Sequence, residues 1–595
     1  MNFFKKNFSI AIIPLLVMAW GIFLYSFFDP FYSKSVDPEF PYLLNGLNCA
    51  LLKFNYIGHI DHPGTPFQVF IGLVIRITHF LSGKGDIAQD VFARPEHYLN
   101  TISNSMLLIE SLLILAVGFI GIKRKIPVWQ IVILQATCFF SSDLVWFFTR
   151  VNPDRFFMTS GLIFTLIYLK HGYENRLSWK FALWSGVVMG LGMATKINFL
   201  PVLILPLLLI DGYKNRLIYI GSGIVSFFIF IAPIIDKFGA FRSFVEGIFK
   251  HDGLYGGGEA NILNYQKMME SATEIFRLNP GLYLLIATLV VLLFIAIRKR
   301  KEGTREYIFL FAGFLFIIAL QMLMVSKHFK NYYLAPVFVI YGFIFFSISL
   351  FLSKIMVKKS RLILASFLLP LFFLLFTFVT VKTEYAGISK IVEHRKKINS
   401  FADAEISKDD FWFVQPTWEG APFVENALIY GLSYCGHRIE YMPQLMAVNP
   451  NIVTYEYNND EVKLWRGSPV KLDSVVATGK NIHIYSSPGR QASILLQLVN
   501  DAAARNNIQL SVDTIYSDSE TKHEIIRVKA LNSSSGWKPG YVQANDRQSK
   551  INEFIEAIKS SPEWLDQVKA KAIQKNIPLD SMILLDAIHM TNVTK

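Results

Sequence analysis

The sequence predicts a mainly α-helical polytopic membrane protein, with about eleven transmembrane helices, that carries a soluble α/β domain towards its C-terminal end. Three observations predict it. Of 595 residues, 52% are hydrophobic and 15% aromatic against 17% charged, which is more apolar surface than a water-soluble chain can hide. Apolar runs of roughly 20 residues, the length that crosses a hydrocarbon core of about 30 Å, recur through the first two thirds. They must be helices, because lipid satisfies no backbone polar group. From Lys382 onwards charged residues return, and the apolar ones alternate or recur at helical spacing.

The runs place spans near 8–28, 101–122, 127–147, 155–171, 180–196, 197–211, 216–236, 281–298, 305–326, 332–353 and 361–381. The first follows Lys5 and Lys6. No small-residue cleavage site follows it, so it reads as a retained span and not a signal peptide. With the N-terminus inside, the strongly basic short loops all fall on the cytoplasmic side: Lys123-Arg124-Lys125; Lys170, Arg176 and Lys180; Lys214 and Arg216; Arg298 to Lys301; Lys358, Lys359 and Arg361. Those loops account for the net charge of +13, and a nucleic-acid partner is excluded. Cys49, Cys138 and Cys435 have no metal-binding spacing.

This topology leaves 29–100, 237–280 and everything after about 382 on the extracytoplasmic face. In the first of these, Phe67, Phe70, Ile71, Val74, Ile77 and Leu81 form one helical stripe, and Gln68, Gly72, Arg76 and His79 form another. That pattern suits a helix in the interface plane, since Arg76 and His79 would otherwise sit in hydrocarbon. A true span is the alternative, and it would invert every later loop. Strand-like Asn481 to Tyr485 and Ile508 to Tyr516, with helix-like Ala492 to Ala504, give the α/β domain. The expected domains are 1–382 in the membrane, with the first outer loop at 29–100, then 383–545 as the soluble domain and 546–595 as a helical tail.

Ionisable residues cluster in five places. Asp37-Pro38-Glu39 offers two carboxylates just after the first span; they could serve as a general base or bind a divalent cation, or be solvated loop acids. Gly58-His-Ile-Asp61-His62-Pro63-Gly64 joins an acid and imidazoles to a turn that leads into the interfacial helix. It reads equally as a phosphate-binding proton shuttle and as an ordinary turn. Arg150, Asp154 and Arg155 follow the third span, where Asp154 is either functional or an ion-pair partner of Arg150 or Arg155. Lys196 closes Gly190-Leu-Gly-Met-Ala-Thr-Lys at a chain reversal, facing a lipid phosphate or snorkelling. Lys327-His328-Phe-Lys330-Asn331-Tyr332-Tyr333-Leu-Ala-Pro336 puts basic residues on the extracytoplasmic side, against the positive-inside bias, and so asks for an anionic headgroup.

In order and sidedness these motifs resemble the GT-C class of membrane glycosyltransferases over about residues 8–355, particularly the family 39-like branch containing protein O-mannosyltransferases and the aminoarabinose transferase of lipid A. The sequence departs from that pattern at Pro63-Gly64, where relatives carry two prolines, and at Asn331, where an arginine is common. The resemblance implies a polyprenyl-phosphate sugar entering from the membrane lipid and an acceptor glycan, lipid or protein at the outer face of a bacterial inner membrane. It implies Asp37 and Glu39 as catalytic residues, with Asp37 the base. It implies Lys327, His328, Lys330 and Lys196 around the donor phosphate, with Asp61, His62, Arg150, Asp154 and Tyr332 binding substrate. No cofactor is specified, and two carboxylates at Asp37 and Glu39 are too few to define a metal site. A flippase of lipid-linked sugars is the main rival; it predicts internal repeats with matching broken helices, which the sequence lacks. A non-catalytic scaffold is the third reading.

Overall fold

The computed structural model describes residues 8–28, 30–61, 64–174, 177–253, 256–261, 264–299, 304–417, 419–436, 438–456, 461–486, 492–531, 553–575 and isolated positions between 579 and 590. The main helices are α1 (Ser9–Phe28), α2 (Glu39–Ala50), α3 (Thr65–Ser82), α4 (Pro95–Lys123), α5 (Arg155–Ile167), α6 (Trp179–Thr195), α7 (Tyr213–Ile231), α8 (Pro280–Arg298), α9 (Arg305–Val325), α10 (Tyr341–Ile355), α11 (Lys359–Glu405), α12 (Val424–Leu432) and α13 (Ala492–Arg505). Their starts reflect local chemistry. Proline opens α4 and α8, where its missing N–H costs nothing. The Ser178 hydroxyl accepts from Phe181 N at 3.3 Å and caps α6.

Among the described residues, six helices are long and apolar enough to cross a membrane: Thr65–Ser82, Pro95–Lys123, Tyr213–Lys250, Pro280–Arg298, Arg305–Val325 and Lys359–Glu405. Counting Asn331–Phe338 with Tyr341–Ile355, bent by 41°, makes seven. This is a multi-pass membrane protein with fewer full-length spans than the eleven expected. The shortfall falls mostly where apolar runs are cut short. The 127–147 run divides into Val128–Gln135, a 3₁₀ turn and Ser142–Phe147, and the 197–211 run into Ile197–Leu203 and Ile204–Leu209, which contain Pro201 and Pro206. Helix α3, expected along the interface, has the length and composition of a span. Helix α11 runs unbroken for 47 residues through the boundary expected at 382.

Two compact units divide the chain: 1–469 with 483–490 and 514–526, and 470–482 with 491–513 and 527–595. In the second, the Arg505 guanidinium meets Asp473 at 2.9 Å, and Ile558, Val568, Met582, Ile583 and Ala587 form a small apolar cluster. The C-terminal strands are β1 (Phe411–Phe413), β2 (Ile452–Glu456), β3 (Glu461–Leu464), β4 (Ser468–Pro469), β5 (Ile482–Ser486), β6 (Leu510–Ser517) and β7 (Glu524–Ala530), in the order β4-β3-β2-β1-β5-β7-β6. Strands β1 and β2 run parallel with Trp412 opposite Ile452, and β2 and β3 antiparallel with Val453 opposite Leu464.

Two close helix contacts hold the elements that carry the ionisable clusters. Every residue of α2 is buried. Helix α3 reaches it because Gly46 and Gly72 lack side chains; a Cβ on Gly72 would stand 2.7 Å from that of Cys49. Helices α6 and α7 meet in the same way at Gly186 and Gly190, where a Cβ on Gly190 would lie 2.6 Å from Gly223 O. Between α4 and α5 lies a buried ion pair. The Arg155 guanidinium donates to Glu110 at 2.9 Å, with both side chains at most 1% exposed, and its other N–H groups reach Ser103 Oγ at 3.1 Å and Arg150 O at 3.3 Å.

Removing one partner of such a pair leaves a buried charge uncompensated, at a cost of about 3–5 kcal/mol. Glu110→Gln is therefore expected to lower the unfolding temperature in detergent sharply. Adding Arg155→Met should recover part of the loss. Equal melting of Glu110→Gln and the wild type would show that the pair is not an anchor.

Candidate active site

The site is assembled where the loop between α1 and α2 meets the ends of α5 and α6 and the start of the bent 331–355 segment. The loop is pinned first by its backbone. Glu96 accepts from Phe31 N at 2.6 Å and Tyr32 N at 3.2 Å, Lys34 Nζ donates to Thr149 O at 2.6 Å, and the Arg395 guanidinium of α11 donates to Ser33 O at 2.6 Å. These bonds set the position of Asp37 and Glu39.

Glu39 is fully buried and forms a two-point ion pair with Arg150, one bond of which spans 3.2 Å. The same guanidinium donates to the main-chain oxygen of Asp37 at 2.9 Å. Both Glu39 oxygens are thus committed to Arg150, which argues against the cation shared by Asp37 and Glu39 that the sequence left open. Among the described residues, no group of three or more His, Cys, Asp and Glu side chains is arranged to hold a metal.

The Asp37 carboxyl is different. Solvent reaches it, yet enough protein surrounds it that burial is the largest influence and raises its pKa above the usual carboxylate value of 3.8. Glu39 pushes the same way, while His59, Arg150 and a hydrogen bond from Tyr430 oppose the shift. His59 is buried, and burial lowers its pKa against the pull of Asp61 and Asp37. Its ring stands edge-on to Tyr42 at 5.0 Å and to Tyr434 at 5.2 Å between centroids.

Asp154 pairs with neither arginine expected for it. Both its oxygens accept from Lys196 Nζ at 3.2 Å, while Arg150 goes to Glu39 and Arg155 to Glu110. Lys196 is buried and does not snorkel; its ammonium lies 5.3 Å from the Tyr332 ring centre and 4.9 Å from that of Tyr333. The structure thus brings together Asp37, Glu39, Asp61, Arg150, Asp154, Lys196 and Tyr332. His62 lies outside the described residues.

Lys327 and His328 have other partners. The Lys327 ammonium donates to the main-chain oxygens of Phe249 at 2.7 Å and His251 at 3.2 Å, and Lys267 and Asp252 face both side chains. Lys330 is exposed on the same loop. Asn331 donates to Asp143 and accepts from Asn279.

Sequence reasoning missed Tyr42, Tyr430 and Tyr434. Tyr42 was within reach of it, one turn after Glu39 on α2; its hydroxyl is buried without a hydrogen-bond partner among the described residues. The other two come from a segment almost 400 positions away, joined to the loop by Asn45 Nδ2 donating to Tyr434 O at 3.0 Å. Two cavities of about 340 and 370 Å³ are lined by residues other than these acids.

Residues 97–327 match the sequence model of glycosyltransferase family 87. The matched stretch contains Arg150, Asp154 and Lys196 but not Asp37 or Glu39. It is a different family from the 39-like branch anticipated. No curated protein matches the chain significantly. Two solved structures are similar: ArnT from Cupriavidus metallidurans bound to undecaprenyl phosphate, 13% identical with a TM-score of 0.44 over 88% of this chain and 98% of that one, and the same enzyme in its apo state, 13% identical with a TM-score of 0.45 over 89% and 98%.

The Lys196–Asp154 pair can be tested without any substrate. Two groups in direct contact should couple by about 0.5–3 kcal/mol in a double-mutant cycle. Thermal unfolding of Lys196→Met, Asp154→Asn and the double variant measures it, and strictly additive losses would mean that the pair is not formed.

Proposed function

We propose that this chain, a membrane glycosyltransferase of the GT-C class, moves a sugar from a polyprenyl-phosphate carrier to an acceptor on the extracytoplasmic face, with Asp37 as general base. One observation carries the assignment of the base. Glu39 and Asp154 each hold a cation at close range, whereas the Asp37 carboxyl is open to solvent, with charged groups only at longer range. A carboxylate tied to arginine or lysine is a poor proton acceptor; one that is open and partly desolvated is a better one.

The reaction balances on these residues. The acceptor oxygen or nitrogen bonds to the anomeric carbon, the bond from that carbon to the phosphate oxygen breaks with its electrons, and the acceptor proton passes to Asp37. The polyprenyl phosphate leaves. Lys196 and the hydroxyl of half-exposed Tyr332 are placed to receive the phosphate, with Arg150 beside Asp37 adding positive charge. Lys330, exposed in the loop leading into Tyr332, can add to the same surround, whereas the Lys327 ammonium is taken up by the main-chain oxygens of Phe249 and His251 and would have to leave them to reach the phosphate. Asp61, His59 and the unpartnered hydroxyl of Tyr42 supply polar groups for the sugar or acceptor. The exposed Leu73, Ile77, Phe80 and Leu81 of α3 give an apolar face for the carrier chain. The match to a transferase family lends nothing to the flippase reading.

Asp37→Asn keeps the size of the side chain and removes the base, so transfer of a labelled sugar from its polyprenyl phosphate should fall by about a hundredfold to ten-thousandfold at unchanged membrane level. A base works only when deprotonated, so wild-type turnover should fall as the pH drops through a value above 3.8, the direction in which burial moves Asp37. Near-normal turnover by Asp37→Asn would pass the role to another group. The sidedness has its own test. Alkaline phosphatase fused after Glu405 should be active and a cytoplasmic reporter there silent; the reverse would put the site on the wrong side of the membrane for an extracytoplasmic acceptor.

A further inference from the structure

Lys196 and the two tyrosine rings beside it come from separate turns, and one carbonyl fastens those turns together. Lys196 opens the 3₁₀ turn Ile197–Leu203, and Asn198 stands two residues further on. Phe199 packs this turn on α5, its ring stacked on that of Phe157 at 5.2 Å between centroids. Tyr332 and Tyr333 lie in a second 3₁₀ turn, Asn331–Leu334, with their rings edge to face at 4.7 Å. The main-chain oxygen of Tyr333 accepts from Asn198 Nδ2 at 3.2 Å and from Gln321 Nε2 of α9 at 2.8 Å. A carbonyl has two lone pairs, so these donors fill it.

Three elements therefore meet at one atom: the Lys196 turn, the tyrosine turn and α9, a helix long and apolar enough to cross a membrane. At the start of the tyrosine turn, Asn331 donates to Asp143 and accepts from Asn279. The turn is thus held from both sides, and its rings keep their distances of 5.3 and 4.9 Å from the Lys196 ammonium.

For stability alone the two amides are a poor choice. Gln321 is fully buried and Asn198 is buried, yet among the described residues Gln321 Oε1 and Asn198 Oδ1 have no hydrogen-bond partner. A buried acceptor left unpaired is costly, and an apolar side chain of similar size would avoid the cost. Local choices that disfavour folding are expected where function requires them.

We infer that Gln321 and Asn198 are positioning residues for the phosphate site, clamping the Tyr333 carbonyl so that the Tyr332 hydroxyl and the Lys196 ammonium stay aimed at one point. The inference rests on the reading of Lys196 and Tyr332 as phosphate ligands.

The test compares binding of a radiolabelled polyprenyl phosphate with that of the matching polyprenol, which lacks the phosphate, by the full chain in detergent. Gln321→Met and Asn198→Leu each remove one amide and leave the carbonyl one donor. Each should weaken phosphate binding about fivefold, the worth of one hydrogen bond, and leave polyprenol binding unchanged. The unfolding temperature should stay equal or rise, since a buried unpaired oxygen is gone. An unmoved phosphate affinity, an equal loss for the polyprenol, or a marked fall in unfolding temperature each overturns the inference. Lys196→Met combined with Asp154→Asn, which leaves neither charge of the pair behind, tests the reading beneath it. If that double variant binds the phosphate normally, Lys196 is not a phosphate ligand and the inference falls with it; if it binds weakly while Gln321→Met and Asn198→Leu bind normally, only the positioning role is lost.

Discussion

A guanidinium buried in protein must be paired, and the geometry of the site depends on how Arg155 meets that demand. Its donors reach Glu110 and Ser103 on α4 and the main-chain oxygen of Arg150 on its own loop. The turn between residues 148 and 155 is thereby fixed to α4. Arg150 and Asp154 sit on that turn, so their directions are set before any contact with the first loop is made. Arg150 then takes Glu39 and the Asp37 main chain, and Asp154 takes Lys196. Three charged pairs act in series, each placing the next, and desolvation makes each costly to break.

This arrangement separates acids that look alike in the sequence. Asp37 and Glu39 are two residues apart, yet the start of α2 turns Glu39 into the protein against Arg150 and leaves Asp37 facing outward. One carboxylate is bound in a buried ion pair and the other faces solvent. Lys196 is a similar case: its pairing with Asp154 and its place against two tyrosine rings hold its ammonium in one position.

The C-terminal segment is more than an appendage of the membrane part. Through α12 and Tyr434 it covers the acid loop, and the unbroken α11 leads into it and bonds that loop through Arg395. The acid loop and the covering segment lie within one compact unit.

Composition and the spacing of apolar runs determined the class of fold, because lipid dictates helices and their length wherever the chain is continuously apolar. They also showed which charged residues are anomalous, among them Arg150, Asp154 and Lys196, whereas Asp37 and Tyr332 were singled out through the resemblance of their motifs to a glycosyltransferase class. Pairing was not legible, since Asp154 has two arginines nearby in sequence and bonds a lysine 42 positions away. The short, broken helices at 127–147 and 197–211 were also hidden, because hydropathy does not report where proline and local turns end a helix. Tyr430 was beyond reach for a simpler reason. Its place over the first loop depends on Gly431 fitting against Phe40 and Tyr441 finding Asn48, contacts that arise only when distant segments pack.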